Sequence, residues 1–204
     1  MAELLTYQEK SLSERLEKFE WDRMWIEDTT DKEAKRVLYI GDSISNGTFA
    51  QATAASERKI LFNNFASSKA LDNPFFYPTV KSFIEQCERR DAIIFNNGLH
   101  GWHLTEAEYG ELYLGFVKKL REDYPDVPLY IVLTTATEGR EYSPRVVPRN
   151  DEARKAAEAL GLKMIDLYQA SLDNASLHTQ DGVHFTPEGY AALGKFVVDA
   201  LGEI

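Results

Sequence analysis

The chain has 204 residues, of which 44% are hydrophobic and 12% aromatic, enough to enclose a core of ordinary size. Its 33 acidic and 23 basic side chains leave a net charge of −10, which repels phosphate backbones and anionic lipid, so we expect neither nucleic acid nor a membrane as a partner. No apolar run is long enough to span a bilayer. The opening residues lack the pattern of a secretory signal, and the single cysteine, Cys87, cannot form an internal disulfide, so we expect a cytoplasmic protein.

Residues 1–35 are predicted to form a charged helical extension ahead of the main domain. Apolar side chains recur at helical spacing between residues 12 and 19, and two tryptophans, Trp21 and Trp25, follow. Tryptophans so close together need a surface to cover them. That surface is provided by the main body, by a second subunit of a homo-oligomer or by a ligand. Packing within the protein is the simplest of these interpretations.

Strands and helices alternate from residue 36 to residue 204, in one domain. Short apolar runs, typical of strands buried on both faces, occur at 37–40, 59–62, 91–95, 128–133 and 162–165. Helical patterns, several with cap signals such as Thr105 with Glu108, Gly161 and Thr186, occur at 44–57, 78–89, 105–120, 150–160 and 186–201. This alternation predicts an α/β fold with a parallel sheet between two layers of helices.

Two short motifs fall where such a sheet has its functional crevice, beyond the carboxyl ends of the strands. G-D-S at 41–43 follows a buried strand, so Ser43 lies on a tight turn into a helix, although the same residues also suit an ordinary helix cap. D-x-x-H at 181–184 precedes the last helix. There Asp181 can accept the Nδ1 proton of His184 and leave Nε2 free as a base, or the motif is a plain surface loop.

Together, in this order and these positions, the two motifs resemble the first and last blocks of the SGNH (GDSL-type) hydrolases. That family consists of esterases and acyl hydrolases with a flavodoxin-like, three-layer α/β/α fold and no cofactor. The resemblance covers about residues 36–201. It implies that Ser43 is the nucleophile, His184 the general base and then acid, and Asp181 the residue that orients it. It also implies a small-molecule ester as substrate, with an acetylated sugar as the first candidate.

The family usually completes an oxyanion hole with a glycine after the second strand of its sheet, and here the match loosens. The residues that follow the run 59–62 include no glycine at the expected place. A backbone N–H serves this role whatever the side chain, so Ala66 or Ser67 is the candidate donor.

The family's other oxyanion donor is an asparagine after the third strand, in the pattern Gly-x-Asn-Asp. Here the chain reads N-N-G-L-H-G at 96–101. Aligning on Gly98 puts His100 at the asparagine position, while Asn97 stands one residue before that glycine. Both side chains can donate a hydrogen bond, and Asn97 is slightly favoured because an amide donates at any pH.

Four further residues are candidate substrate contacts: Asp42, Trp102, His103 and Arg149. Trp102 and His103 are predicted to line the crevice wall. Arg149 belongs to the long segment 134–150, which is either a pocket wall or a solvated loop. We expect no metal, because no third ligand accompanies His100 and His103 at a suitable spacing. Cys87 is predicted to be a core thiol.

A second interpretation is a catalytically impaired protein on the same fold that binds a carbohydrate or an ester, its hydrolysis lost with the altered oxyanion hole. The esterase predicts a covalent fluorophosphonate adduct on Ser43, and the binding protein predicts none. A phosphate or nucleotide binder is less favoured, because the segment at 41–47 has neither the G-x-G-x-x-G pattern nor the lysine of a P-loop.

Overall fold

A single six-stranded sheet organises the computed structural model, which describes residues 9–204. Its strands are β1 Asp22–Trp25, β2 Lys35–Gly41, β3 Ile60–Ser67, β4 Ala92–Phe95, β5 Leu129–Val132 and β6 Lys163–Ile165. They lie in the order β1-β3-β2-β4-β5-β6, with β1 antiparallel to β3 and the other pairs parallel. Without β1, this is the strand order of a flavodoxin-like sheet, whose crevice opens where the order reverses, between β2 and β4.

Helices cover both faces of the sheet. They are α1 Ser43–Ala55, α2 Phe76–Gln86, α3 Glu106–Asp123, α4 Val146–Leu160, α5 Leu167–Asp173 and α6 Pro187–Leu201. Apolar residues of α2, α3 and α4 pack on one face, and those of α1, α5 and α6 on the other. The predicted three-layer α/β/α fold is confirmed. Helix α5 escaped prediction because so short an element carries little periodicity.

The central strand β2 supplies alternate residues to the two cores. Leu38 and Ile40 contribute to the core beneath α2 and α3, whereas Val37 and Tyr39 contribute to the core beneath α1 and α6. All four side chains are buried. A strand covered on both faces has no polar alternation, which is why the sequence reads here as an unbroken apolar run.

Helices α1 and α6 pack side by side on one face of the sheet. Gly194 permits their close approach, because a Cβ at this position would lie 2.7 Å from the backbone nitrogen of Ala52. The hydroxyl at the start of α1 is hydrogen bonded to a side chain of the loop that precedes α6. The packing of these two helices therefore brings both sequence motifs to one place.

The helical extension predicted for residues 1–35 is wrong where the structure describes it. Residues 9–35 contain a short 3₁₀ turn, Leu12–Glu14, and the edge strand β1, while residues 1–8 lie outside the described part of the chain. The apolar residues that suggested a helix are not packed in a core, and Phe19, for example, is 73% exposed. Main-chain pairing along the open edge of β3 stabilises this segment instead. We call residues 9–25 the arm.

None of the helices in residues 9–204 is both long and apolar enough to cross a membrane.

Candidate active site

Ser43 occupies the first position of helix α1, directly beyond the carboxyl end of β2. Asp42 is the N-cap, and its Oδ1 accepts the N–H of Ile44 at 2.9 Å. The first N–H groups of a helix have no carbonyl partner within it and lie at the positive end of the helix dipole. The turn thus presents the Ser43 hydroxyl together with a backbone donor suited to negative charge.

Three predicted side chains lie in one hydrogen-bonded row. The Ser43 Oγ lies 2.9 Å from Nε2 of His184, and the other ring nitrogen, Nδ1, lies 2.6 Å from Oδ2 of Asp181. The serine and the histidine are 141 positions apart in the chain. Ser43 is partly buried, and the side chains of His184 and Asp181 are 41% and 37% exposed, so the row is open to a ligand.

Asp181 is held as a carboxylate by its surroundings. Its Oδ1 accepts the backbone N–H groups of Val183 and His184, each at 2.9 Å, and the hydroxyl of Thr179 at 2.8 Å. Desolvation raises the pKa of Asp181, but the hydrogen bonds from His184, Val183 and Thr179 outweigh it and hold that pKa well below its usual range. An ionised Asp181 fixes the ring so that Nε2 faces the serine.

The turn that carries Asp181 and His184 requires a glycine. Gly182 has a φ of +67°, and a Cβ on it would lie 2.2 Å from the carbonyl oxygen of Glu138. The N–H of Glu138 donates to the Gly182 carbonyl at 2.7 Å. The long segment after β5 therefore supports this turn directly, a role that its sequence did not indicate.

The amides predicted as oxyanion donors belong to the sheet, because β3 continues to Ser67. The Ser68 N–H donates to the carbonyl of Trp21, and since antiparallel pairs alternate, the Ala66 N–H also faces β1. The Ser67 N–H faces β2, where the register sets it against the carbonyl of Gly41. Neither Ala66 nor Ser67 has a free N–H for an oxyanion, and this corrects the prediction.

The two side-chain candidates after β4 lie in different environments. Asn97 is 1% exposed, and its Nδ2 donates to the carbonyl of Lys69 at 2.9 Å, so it braces one loop against another. The side chain of His100 is 20% exposed and lies edge-on to Trp21, with ring centroids 6.3 Å apart. His100 also lies within electrostatic range of Asp42. In the alignment on Gly98 it stands at the family's asparagine position, and its side chain is more exposed than that of Asn97.

Asp42 was predicted to contact the substrate, but it is a buried residue that supports the turn. It is 1% exposed, and its Oδ2 has no hydrogen-bond partner among residues 9–204. Burial raises the pKa of Asp42, an effect opposed by its hydrogen bond from Ile44 and by the positive charge that His100 and His184 can carry. Its cap of α1 orients the turn under Ser43.

Arg149 also has a different role from the predicted substrate contact. It is fully buried and donates to the backbone carbonyls of Gly98, His100 and Gly101. Its guanidinium carbon lies 3.8 Å from the ring centroid of Trp102. Desolvation lowers the pKa of Arg149 to about 10. This arginine clamps the loop that carries His100, from inside the protein.

The remaining predicted contacts flank the crevice loop. The Nε2 of His103 lies 2.9 Å from Oδ2 of Asp72, whose side chain is fully buried, so the ring is held by the protein. Trp102 is partly buried and stacks on Tyr142 at a centroid distance of 4.4 Å and an interplanar angle of 13°. An open groove of about 280 Å³ is lined by Trp102, Glu141, Tyr142 and Arg145.

Sequence reasoning missed Tyr142 and Glu17. Tyr142 stacks on Trp102 and lines the groove beside it, yet nothing in its local sequence distinguishes it from other loop tyrosines. Glu17 accepts the Gly101 N–H at 2.6 Å from the arm. No local pattern signals a contact between residues 84 positions apart.

No protein-family model and no curated protein matches this chain. Solved structures do resemble it. LAE5, an α/β hydrolase enzyme from the metagenome of Lake Arreo, Spain, is 15% identical, with 81% of this chain and 94% of that chain covered and a TM-score of 0.67. The lipase/acylhydrolase from Enterococcus faecalis is 16% identical, with 82% and 95% covered and a TM-score of 0.62.

An acetyl xylan esterase, AlAXEase, is also similar, at 16% identity, with 81% of this chain and 97% of that chain covered and a TM-score of 0.62. At such identities the likeness is one of fold. It agrees with the strand order and with the positions of the two sequence motifs at the carboxyl edge of the sheet. The chain therefore has the α/β/α fold that is also seen in solved structures named as members of the G-D-S-L family or as GDSL-like.

Proposed function

We propose that this protein is a serine esterase that cleaves small acyl esters, acetyl esters first, through a covalent acyl-enzyme. The observation that carries the proposal is the row from Ser43 through His184 to Asp181, with distances of 2.9 and 2.6 Å. A serine hydroxyl is a weak nucleophile until a base takes its proton. An oriented imidazole can act as that base near neutral pH. The hydrolase fold adds to this support.

In the first half of the reaction, Ser43 Oγ attacks the ester carbonyl carbon while Nε2 of His184 takes its proton. Asp181 stabilises the imidazolium that forms and keeps its orientation. The tetrahedral intermediate then collapses: the bond to the leaving oxygen breaks, and His184 returns the proton to the departing alcohol. The acyl group stays on Ser43 as an ester.

In the second half, water replaces the alcohol. His184 takes a proton from water as its oxygen attacks the acyl carbon, and a second tetrahedral intermediate forms. Its collapse breaks the bond to Ser43, which regains the proton from His184, and the carboxylic acid leaves. The partly exposed row leaves room for water to reach the acyl carbon.

Three groups are assigned to the developing oxyanion: the Ser43 N–H, the His100 ring and the Ala70 N–H. The first lies at a helix start, and the second stands where the fold family has its asparagine. The amides that follow β3 are otherwise engaged, Ser68 with Trp21 and Lys69 with Ser67. The Ala70 N–H has no hydrogen-bond partner within residues 9–204, and the residue packs against Gly101, next to His100.

An acetylated carbohydrate is the substrate class that suits the crevice. The stacked pair of Trp102 and Tyr142 offers aromatic surface on which a sugar ring packs, and Trp21 offers more of it beside His100. The open groove at Trp102 accommodates the polar body of such a substrate. One structural neighbour is itself named an acetyl xylan esterase.

A fluorophosphonate probe tests the proposal. The native protein is expected to form an adduct that peptide mass spectrometry locates on Ser43, and the Ser43→Ala variant is expected to form none. Acetate release is then measured over a panel of acetylated sugars and chromogenic esters of increasing acyl length. A carbohydrate- or ester-binding protein on this fold would bind an acetylated sugar, release no acetate and leave Ser43 unlabelled, and that result would overturn the esterase.

A further inference from the structure

The arm contacts both loops that border the crevice. Trp21 donates its N–H to Ser68 Oγ at 2.9 Å beside the end of β3, and Lys69 Nζ lies 2.6 Å from Oδ2 of Asp22. Farther along the crevice, Glu17 accepts the Gly101 N–H at 2.6 Å. A segment outside the flavodoxin-like part of the chain is thus bound to the loops that follow β3 and β4.

His100 is held from two sides. From the interior, the buried Arg149 donates to the carbonyls of His100 and Gly101. From the arm, Glu17 binds the next amide in the chain, and the same Oε1 lies 3.8 Å from Nδ1 of His100. Trp21 meets the ring edge-on, at an interplanar angle of 80°. The contacts restrict both the backbone and the ring.

This arrangement suits a ring that must present one nitrogen to a reacting group. The Glu17 carboxylate lies on the Nδ1 side of the ring, so the opposite nitrogen, Nε2, is the one turned away from the arm, and it must carry a proton in order to donate to an oxyanion. An oxyanion donor acts only when it is preorganised, since its contribution comes from having its position set before charge develops.

We propose that Glu17 is a positioning residue that orients His100 as an oxyanion donor, so that this one residue of the arm contributes to catalysis through His100. The inference rests on the proposed esterase function. The charged groups around His100 are Glu17 on the arm, Asp42 at the start of α1, and Arg149 of α4 behind its backbone. Glu17 is the carboxylate within 4 Å of the ring.

The test compares steady-state kinetics of arm variants on a short-chain chromogenic ester. Glu17→Ala is expected to lower kcat by about 10- to 100-fold with KM changed less than about two-fold, because a displaced donor affects the transition state and not substrate binding. Glu17→Gln keeps an oxygen for the Gly101 N–H and is expected to lose less. Thermal unfolding followed by circular dichroism establishes that each variant is folded.

A double-mutant cycle separates positioning from general loosening of the arm. If Glu17 acts through His100, adding Glu17→Ala to His100→Ala removes little further activity. Glu14→Gln is the matched control, since Glu14 lies on the same arm and its carboxylate binds Ser11 and not Glu17 or His100. Its kcat is expected to stay within about three-fold of the native value.

Additive losses in the cycle, or an unchanged kcat in Glu17→Ala, would overturn the role of Glu17. That failure is distinguishable from failure of the esterase itself. If the native protein turns over esters and its Ser43 reacts with fluorophosphonate, only the Glu17 inference falls. If the native protein does neither, the proposed function falls and the inference falls with it.

Discussion

Two imidazole–carboxylate pairs in this protein differ in the group that lies at the second ring nitrogen and in the exposure of the carboxylate. In one pair, Nδ1 of His184 lies 2.6 Å from Asp181, and in the other, Nε2 of His103 lies 2.9 Å from Asp72. Both carboxylates accept a hydrogen bond from a ring nitrogen, and both histidines lie near the carboxyl edge of the sheet. Each pair consists of one histidine and one aspartate, so the residue types do not tell the two pairs apart.

The difference is what stands at the second nitrogen. His184 presents Nε2 to Ser43 Oγ at 2.9 Å, whereas no serine, threonine or cysteine side chain is hydrogen bonded to His103 within residues 9–204. The exposure differs too, since the side chain of Asp181 is 37% exposed and that of Asp72 is fully buried. The imidazole of such a pair can act as a catalytic base only when its other ring nitrogen faces a nucleophile. Without a nucleophile there, the pair has a structural role.

The largest expected effect separates the two pairs by activity. Ser43→Ala or His184→Ala is expected to lower kcat/KM for a chromogenic acetate ester by about 10⁴-fold or more, since each removes part of the nucleophilic unit. His103→Ala is expected to change it by less than about ten-fold. Initial rates with purified, folded variants provide the comparison. Comparable losses in His103→Ala and His184→Ala would erase the distinction between the pairs.

A second effect concerns the oxyanion donor beside the first pair. His100→Ala is expected to lower kcat by about 10²–10³-fold, the loss typical of one missing donor. Asn97→Ala, which removes a bond to the Lys69 carbonyl, is expected to lower stability and to leave kcat within a few-fold in the folded protein. The reverse pattern in kcat would assign the donor to Asn97.

The pH dependence of kcat/KM tests the ionisation state assigned to Asp181 in its pair with His184. Because hydrogen bonds hold the pKa of Asp181 well below its usual range, this carboxylate stays ionised through mildly acid pH, and its orienting bond is lost only as pH falls through that low value. Protonation of Asp181 should therefore add nothing to the acid limb of kcat/KM, which is expected to decline by no more than about ten-fold per pH unit. A decline of about a hundred-fold per unit would require a second titrating group in that range.

The smallest expected effect concerns stability at the second pair. His103→Ala removes one hydrogen bond to the buried carboxylate of Asp72, and the loss of a hydrogen bond to a charged group is expected to lower the free energy of unfolding by about 1–3 kcal/mol. Urea unfolding of the variant and the native protein measures the difference. An unchanged midpoint would remove the structural role assigned to His103.

Local rules accounted for most of the elements. The apolar runs at 37–40 and 128–133 became β2 and β5, and the capping box of Thr105 with Glu108 starts α3. Thr186 accepts the N–H of Gly189 at the start of α6, and Gly161 ends α4 with a φ of +63°. These features depend on residues a few positions apart, and a sequence pattern can express them.

Predictions that depended on contacts between distant segments fared less well. The arm was expected to be helical, yet the open edge of β3 offered main-chain partners that outweighed a weak apolar spacing. Arg149 was expected to meet a substrate, yet carbonyls of the 98–101 loop and the ring of Trp102 surround it. A side chain's neighbours across the fold do not appear in its local sequence.

The amino-acid sequence by itself determined the α/β alternation and the two motifs that supply a hydroxyl, an imidazole and a carboxylate, because strand burial, helix caps and motif spacing are local properties. The tertiary structure alone decided that β3 extends through Ser67, that Asn97 is tied to Lys69 while His100 stays partly exposed, and that Glu17 reaches this loop. Each of these outcomes follows from packing between segments far apart in the chain. Strand register and burial there decide whether a polar group is hydrogen bonded within the protein or stays available to a ligand.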